Sequence, residues 1–342
     1  MKHSLSSLSR RVALLWRKVP ALAVLPLVAL PLTVLHAGAQ AQALAWPTKP
    51  IRVIVPFVAG SGTDTIARTV SERLSRQLGQ PMIIENRPGA GGTIGSSLLA
   101  HAEADGQTIM VHSNSHTVTP ATYRNLTYDP VKDITGVIPL AGVPMVLVMA
   151  PSKGIRTLAD LVKVAKAKPG SINFASAGAG GATHLGAERL LLSAGFTGTH
   201  IPFKGSNDAL TEVIAGRVDF YYSPIGLAMP FLKSDRLVAI AVSSTARSAA
   251  LPEVPTTIEA GFPNTDYGVW IAMFAPAKTP RAIINRLNEE SAKALRSPES
   301  REKYNTLVMD NMIMGVDEFA AFLKKDFEVN AELVKAAGIQ PN

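Results

Sequence analysis

The 342-residue sequence contains no cysteine, which excludes disulfide scaffolds, thiolate-bound zinc, iron–sulfur clusters and a cysteine nucleophile. Charged residues are scarce at 18% and aromatic residues at 6%, yet apolar residues reach 47%. That balance belongs to a chain with buried cores and excludes intrinsic disorder. No Gly-Lys-Ser/Thr segment is present to close a nucleoside-triphosphate P-loop. No G-x-S-x-G elbow is present to mount a hydrolase serine, and Gly60-Ser61-Gly62 has the wrong spacing. His112 and His116 are four apart but enclose Ser113-Asn114-Ser115, with no glutamate and no third ligand. They read better as loop polar groups than as a metal site, and neither a metal nor a cofactor is expected.

Acidic residues are absent from positions 1–45, which carry Lys2, Arg10, Arg11, Arg17 and Lys18. An apolar run from Ala21 to Leu35 follows, broken by Pro26 and Pro31, and then small residues from Ala37 to Ala45. This order is that of a cleaved secretory signal peptide over 1–45. The apolar run is shorter than the ~20 residues that span a bilayer, which argues against an anchor. Cleavage after Ala39, Ala41, Ala43 or Ala45 fits the pattern, with Ala45 preferred. Ser9-Arg10-Arg11-Val12 leaves twin-arginine export open as an alternative, although Ala13 stands where a bulky apolar residue belongs. Without a cysteine no lipid can be attached at the cleavage site, so a free periplasmic protein is expected. Removing the five basic residues of the leader from the 34 Lys and Arg leaves 29 against 26 acidic residues, about +3 in place of +8. The basicity is mostly that of the leader, and nucleic-acid binding is not expected.

From Trp46 onward, short β-branched runs alternate with amphipathic stretches. Ile51–Val55, Met82–Glu85, Thr108–His112, Met145–Met149, Ile172–Ala175, His200–Phe203, Val218–Tyr222 and Leu237–Ser243 read as strands. Ile66, Val70, Leu74 and Leu78 predict a helix capped near Thr63 or Asp64 and ended at Gly79. Further helices are predicted to Ala100, after Thr157, over Thr183–Ala194 and Asn207–Ala215, and in the tail over Pro280–Leu295 and Val316–Ala337. Sustained β–α alternation implies an α/β protein with parallel, helix-covered sheets. A length of 342 residues suits more than one core.

Three times a strand runs into a glycine-rich turn that opens a helix: Pro56–Asp64, Glu85–Thr93 and Phe174–His184. Glycine lets a ligand approach the main chain, and the free N–H groups of a helix start favour an anion. In open α/β sheets such junctions lie at the carboxyl ends of the strands, where ligands bind. Ordinary tight βα turns use the same glycines, but three junctions lined by Ser and Thr hydroxyls favour a ligand. A dinucleotide reading is weak, because the strands that follow end in His112-Ser113-Asn114 and Phe203-Lys204 rather than in an acidic residue. Asp64 reads as an N-cap or as a ligand contact. His184 reads as a capping or packing residue, Lys204 as an anion contact or a solvated lysine, and Trp270, Phe274, Tyr221 and Tyr222 as core.

The order of these motifs resembles the periplasmic receptors of tripartite tricarboxylate transporters, the Bug (Bordetella uptake gene) family. The carriers include Trp46-Pro47-Thr48-Lys49-Pro50-Ile51, the Pro56-Phe57-x-Ala59-Gly60 loop with Asp64, and Glu85-Asn86-Arg87-Pro88-Gly89-Ala90-Gly91-Gly92. Tyr128-Asp129-Pro130, the Ser176–Leu185 loop, Phe203-Lys204-Gly205, Gly216-Arg217-Val218-Asp219 and Leu251-Pro252-Glu253-Val254-Pro255-Thr256 follow in order. The resemblance implies a two-lobed type II (Venus-flytrap) binding protein, each lobe a mainly parallel sheet flanked by helices. One lobe is expected over 46–146 and 268–342 and the other over 147–267, with the chain crossing near 144–150 and 264–270. It implies a small carboxylate held in the interlobe cleft and delivered to membrane permease subunits by a monomer. A component feeding a sensor kinase, or a periplasmic hydrolase, are the alternatives. The expected ligand-binding residues are Phe57, Ser61, Gly62, Thr63, Asp64, Ala90, Gly91, Ser113 and Asn114 on one lobe. Ser176, Gly178, Ala179, Thr183 and Lys204 are expected on the other, and no catalytic residue is expected. Ser61 departs from the family, which commonly has glycine there, so ligand identity does not carry over.

Overall fold

The computed structural model describes residues 46–341; the signal-peptide reading of 1–45 lies outside the described residues. Two sheets organise the chain. The first is built from β1 (Ile51–Val55), β2 (Met82–Asn86), β3 (Thr108–Ser113), β4 (Ile134–Val143), β10 (Val269–Pro276) and β11 (Asp310–Asn311), in the order β11-β4-β10-β3-β1-β2. The second is built from β5 (Met145–Met149), β6 (Asn173–Ser176), β7 (Thr199–Pro202), β8 (Phe220–Pro224) and β9 (Val238–Val242), in the order β7-β6-β8-β5-β9.

Side-chain alternation explains how each strand serves two cores. Ile51, Val53 and Val55 enter one cluster with the helices α1 (Gly62–Leu78) and α8 (Arg281–Arg296), while Ile54 faces the opposite cluster with Trp270, Phe274 and Phe319. In β5, Met145, Leu147 and Met149 face one core and Val146 and Val148 the other. The remaining helices are α2 (Thr93–Ala100), α3 (Ser115–Thr122), α4 (Leu158–Ala167), α5 (Ala182–Ala194), α6 (Ser206–Ile214), α7 (Ile225–Lys233), α9 (Pro298–Leu307) and α10 (Val316–Ala336).

The two-sheet α/β architecture agrees with the expected fold class, and its sheets are mixed rather than mainly parallel. Parallel pairing is confined to β2-β1-β3 and to β7-β6-β8, whereas β10, β4, β11, β5 and β9 pair antiparallel. The cause is the crossover: a chain that leaves one sheet and returns to it enters beside a strand of opposite direction. β4 ends at Val143 and β5 begins at Met145, so Pro144 alone separates the two sheets. Met145 and Val146, assigned by sequence to the first lobe, therefore pair in the second sheet. The return crossing is clamped by Ser243, whose Oγ donates to the Tyr267 carbonyl at 2.5 Å and whose N–H donates to Met145 at 3.0 Å.

Sequence patterning did not find β4, β10, α3, α7 or α9. β4 carries Gly136 and Pro139, which disguise a central strand. Register shifts in its pairing with β10 accommodate the proline opposite Ala272. α3 and α7 each carry an internal proline, Pro120 and Pro230. α1 is capped by Ser61 rather than by Thr63 or Asp64: the Ser61 hydroxyl accepts the Asp64 N–H, and Gly79 ends the helix at φ +71.

Gly136 lets α10 lie directly on β4, since a Cβ there would stand 2.6 Å from the Phe319 ring and 2.7 Å from Leu323 Cδ1. Gly136→Ala is expected to lower the unfolding free energy by about 1–3 kcal/mol through overpacking. An unchanged urea midpoint would contradict this packing.

Candidate functional site

The first junction is organised by a buried carboxylate. Asp64 Oδ2 accepts the Gly60 N–H and the Arg68 Nε, each at 2.9 Å, and Oδ1 accepts the Asn86 amide at 2.9 Å. Asn86 also donates to the Phe57 carbonyl at 3.0 Å, tying the end of β2 to this loop. Burial by itself would raise the Asp64 carboxyl, but the Arg68, Gly60 and Asn86 donors hold it below the ordinary carboxylate value. Asp64 is thus the frame of the loop, with its oxygens occupied by the protein. Ser61 has φ −66° and ψ 160°, an ordinary conformation that needs no glycine, and its hydroxyl is committed to the cap. The N–H groups of Gly62 and Thr63, in the first turn of α1, donate to no protein acceptor among the described residues.

The second junction is a left-handed run: Gly89, Ala90, Gly91 and Gly92 all have positive φ. Gly92 is required by contact as well as conformation, since a Cβ there would stand 2.6 Å from the His112 ring. Gly91 lies against Tyr123, whose hydroxyl would be 3.0 Å from such a Cβ. Ser113 and Asn114 follow β3. Ser113 donates its N–H to His112 Nδ1 at 2.8 Å, and Asn114 donates its N–H to the Trp270 carbonyl at 3.0 Å. His112 and His116 are packed among Phe57, Phe274 and Phe327. Burial drives His112 well below its ordinary value and His116 to about 3, so both rings are neutral.

In the third junction, Thr183 Oγ1 accepts the Ala177 N–H at 2.9 Å, Ser176 Oγ accepts the Gly178 N–H at 3.1 Å, and His184 Nδ1 accepts the Gly180 N–H at 3.0 Å. The N–H groups of Ala179, Ala182 and Thr183 are left without an acceptor among the described residues. His200 Nε2 lies 2.6 Å from Ser176 Oγ and its ring stacks on His184 at 3.6 Å. Burial and the neighbouring His184 lower His200 to about 4. The Ser176–His200 pair has the separation of a nucleophile and its base, but Ser176 is fully buried and its hydroxyl is engaged by both the N–H and the carbonyl of Gly178. Its geometry fixes the loop and offers no approach to a substrate carbonyl.

Gly178, Ala179 and Lys204 line one cavity with Asp208, Thr211 and Glu212, of ≈ 630 Å³. Gly180 brings this junction to α3, since a Cβ there would stand 3.2 Å from Thr122 Cγ2. The second and third junctions, from different sheets, therefore meet at Thr122–Tyr123. Asn114 is set apart from the other expected residues, in a separate cavity beside the crossover. Sequence reasoning missed Asn86, Arg68, Thr122, Tyr123 and His200. Asn86 lay within a quoted motif, whereas Thr122 and Tyr123 sit at the end of a helix hidden by Pro120. Among the described residues, no group of three His, Asp or Glu is placed to hold a metal.

Two α/β lobes joined through a one-residue link, with glycine-loop helix starts carrying unpaired N–H groups, define a solute-binding receptor. Residues 66–339 match the tripartite tricarboxylate transporter family receptor, and the chain belongs to that family. Protein BugT of Bordetella pertussis is 33% identical over 303 residues, 88% of this chain and 93% of BugT. The solved structure of R. palustris Rpa4515 with adipate is 30% identical with a TM-score of 0.78, over 87% of this chain and 100% of that one. MatC from Rhodopseudomonas palustris with bound malate is 30% identical with a TM-score of 0.73, over 84% of this chain and 100% of that one.

The lowered Asp64 carboxyl stabilises the fold above the ordinary aspartate value of about 3.9, and that contribution is lost as pH falls through its lower folded value. Asp64→Asn is expected to cost about 1–3 kcal/mol at pH 7, and the gap to wild type should narrow below about pH 4. Urea midpoints across pH 7 to 2.5 measure it, and a gap independent of pH would contradict the charged frame.

Proposed function

We propose that this receptor is an exported periplasmic protein that captures a small carboxylate between its lobes and passes it to the permease subunits of a tripartite transporter. The observation that carries the reading is the set of unpaired N–H groups at the starts of α1 and α5, one set at each sheet's ligand-facing edge. Main-chain donors of this kind hold a carboxylate without an arginine clamp, and the helix dipoles favour its charge. The adipate and malate held by the two solved relatives support a dicarboxylate as the ligand class. Among the described residues no helix is long and apolar enough to cross a membrane, which fits a receptor that meets its permease from outside the bilayer.

In this reading the lobes divide at Pro144 and between Val242 and Val269. One carboxylate rests on Ser61–Asp64 and Ala90–Gly91, and the distal end of the ligand meets Gly178, Ala179, Thr183 and Lys204. Asp64, Ser61, Ser176 and Thr183 contribute by holding their loops, while Gly62, Thr63 and Ala179 contribute N–H groups. Contacts available on both lobes only when they approach shift the population toward the closed state. Dissociation constants in the micromolar range correspond to about −8 kcal/mol, within reach of several charge-assisted hydrogen bonds.

Thermal-shift screening against di- and tricarboxylates, amino acids and aromatic acids tests the reading. A ligand at ~100 times its dissociation constant stabilises the fold by about 2.7 kcal/mol. Failure of every acid in the panel to raise the melting temperature would overturn it. Gly62→Pro removes one N–H at the first position of α1, where proline fits and Ser61 is already extended. Affinity for the identified acid is expected to fall about tenfold or more with little change in stability. Full affinity in this variant would show that the α1 start does not hold the carboxylate.

A further inference from the structure

The crossover carries a second cavity, on the flank away from the glycine junctions. In the first sheet β4 and β10 lie between β11 and β3, and in the second sheet β5 and β9 lie at the end opposite β7. The cavity, of ≈ 460 Å³, is walled by Val143 at the end of β4, Ser243 after β9, and Met312 beyond β11. It therefore opens beside β11 and β9, whereas the junctions follow β1, β2 and β6. Trp270 and Phe322 give it an aromatic wall, Asp310, Arg189 and Lys325 add charge to its lining, and Asn114 and Asp326 give it carbonyl and carboxylate oxygens.

Those polar atoms are acceptors without enough donors. Asp326 Oδ2 accepts the Thr117 hydroxyl at 2.6 Å and the Asn330 amide at 3.0 Å, and no Lys, Arg or His nitrogen among the described residues lies within 4.0 Å of its carboxylate. The Trp270 indole N–H lies toward this carboxylate without closing a hydrogen bond on it. Asn114 is 2% exposed. Its Nδ2 donates to the Gly268 carbonyl at 3.3 Å, but its Oδ1 is buried with no donor. Tyr267 offers no relief, because its hydroxyl proton goes to Asn330 Oδ1 at 3.1 Å. Arg189 at the rim is engaged by the Asn264 carbonyl and by Asp266. Asp326 is half-buried, and the Arg189 charge reaches it only from beyond ion-pair distance; a half-buried carboxylate without a paired cation is unfavourable, and an amide oxygen without a donor adds to the cost.

A group that carries only donors and a positive charge satisfies both atoms, and a primary ammonium has three donors and no acceptor. We propose that this cavity binds a small alkyl primary ammonium compound, whose ammonium donates to Asp326 and to Asn114 Oδ1 while its alkyl chain lies on Trp270 and Phe322. The aromatic wall attracts the cation as well as covering the chain. This site is separate from the proposed carboxylate cleft and stands whether or not that cleft binds an acid. Burial raises the Asp326 carboxyl, and a bound cation acts in the opposite direction.

Titration calorimetry of the purified protein with butylammonium chloride, against 1-butanol and against matched sodium chloride, tests the proposal. Saturable binding of butylammonium alone is expected, weakened at least tenfold in Asp326→Asn and in Asn114→Leu. Independently of the fold of either variant, the wild-type protein gives a second readout: the Trp270 indole N–H resonance should shift in proportion to saturation. Absence of saturable binding, equal affinity for 1-butanol, unchanged affinity in a folded variant, or an indole resonance that does not move would each overturn the site.

Discussion

The architecture depends on the short link at Pro144. A single residue between a strand of one sheet and a strand of the other leaves no slack, so the end of β4 and the start of β5 stay adjacent. The Pro144 carbonyl is itself used, accepting the Ile225 N–H at 3.0 Å at the start of α7. The return crossing is pinned beside it by Ser243 and Tyr267. From this constraint follow the antiparallel strands at the crossover, the parallel strands beyond it, and the location of the glycine junctions at the carboxyl ends of the parallel strands.

Within those junctions, side chains and main chain divide the labour. Asp64, Ser61, Ser176, Thr183 and His184 accept loop N–H groups and so fix the loops. The N–H groups left over stand in the first turns of α1 and α5, where geometry withholds intrahelical partners, and at Ala179 in the loop before α5. Hydroxyls and carboxylates that look like ligand contacts in a linear motif are thereby engaged within their own loops, and the donors left over are main-chain N–H groups. Side chains at these positions can vary without removing the donors. The family relationship thus survives at 30–33% identity to the relatives described.

The histidines obey the same economy. His112 and His116 are buried as neutral rings beneath the first-sheet loops, and His184 and His200 stack beneath the third junction. Burial holds His112, His116 and His200 below the ordinary histidine value, and among the described residues no group of three His, Asp or Glu is placed to hold a metal. His112, His184 and His200 each hold one hydrogen bond through a ring nitrogen, and His116 packs on Phe274 and Phe327. In the crossover cavity Asn114 Oδ1 is a buried acceptor without a donor.

Much of the architecture was legible in the linear chain. Short β-branched and apolar runs marked β1, β5 and β9, the four-residue apolar stripe marked α1, and the strand–glycine–helix sequence marked all three junctions, because these are local consequences of backbone geometry and side-chain shape. The composition of residues 1–45 likewise separated their charge from that of the rest of the chain. Other features required the tertiary structure. β4 and β10 were hidden, since a strand with Gly136 and Pro139 is stable only when a partner supplies compensating register shifts. Asp64 was ambiguous between cap and contact until Gly60, Arg68 and Asn86 closed on it. The approach of Gly91 and Gly180 to Thr122–Tyr123, and of Asn114 to Asp326, joins residues far apart in the chain. No local pattern encodes such meetings, because they are set by where the sheets are packed.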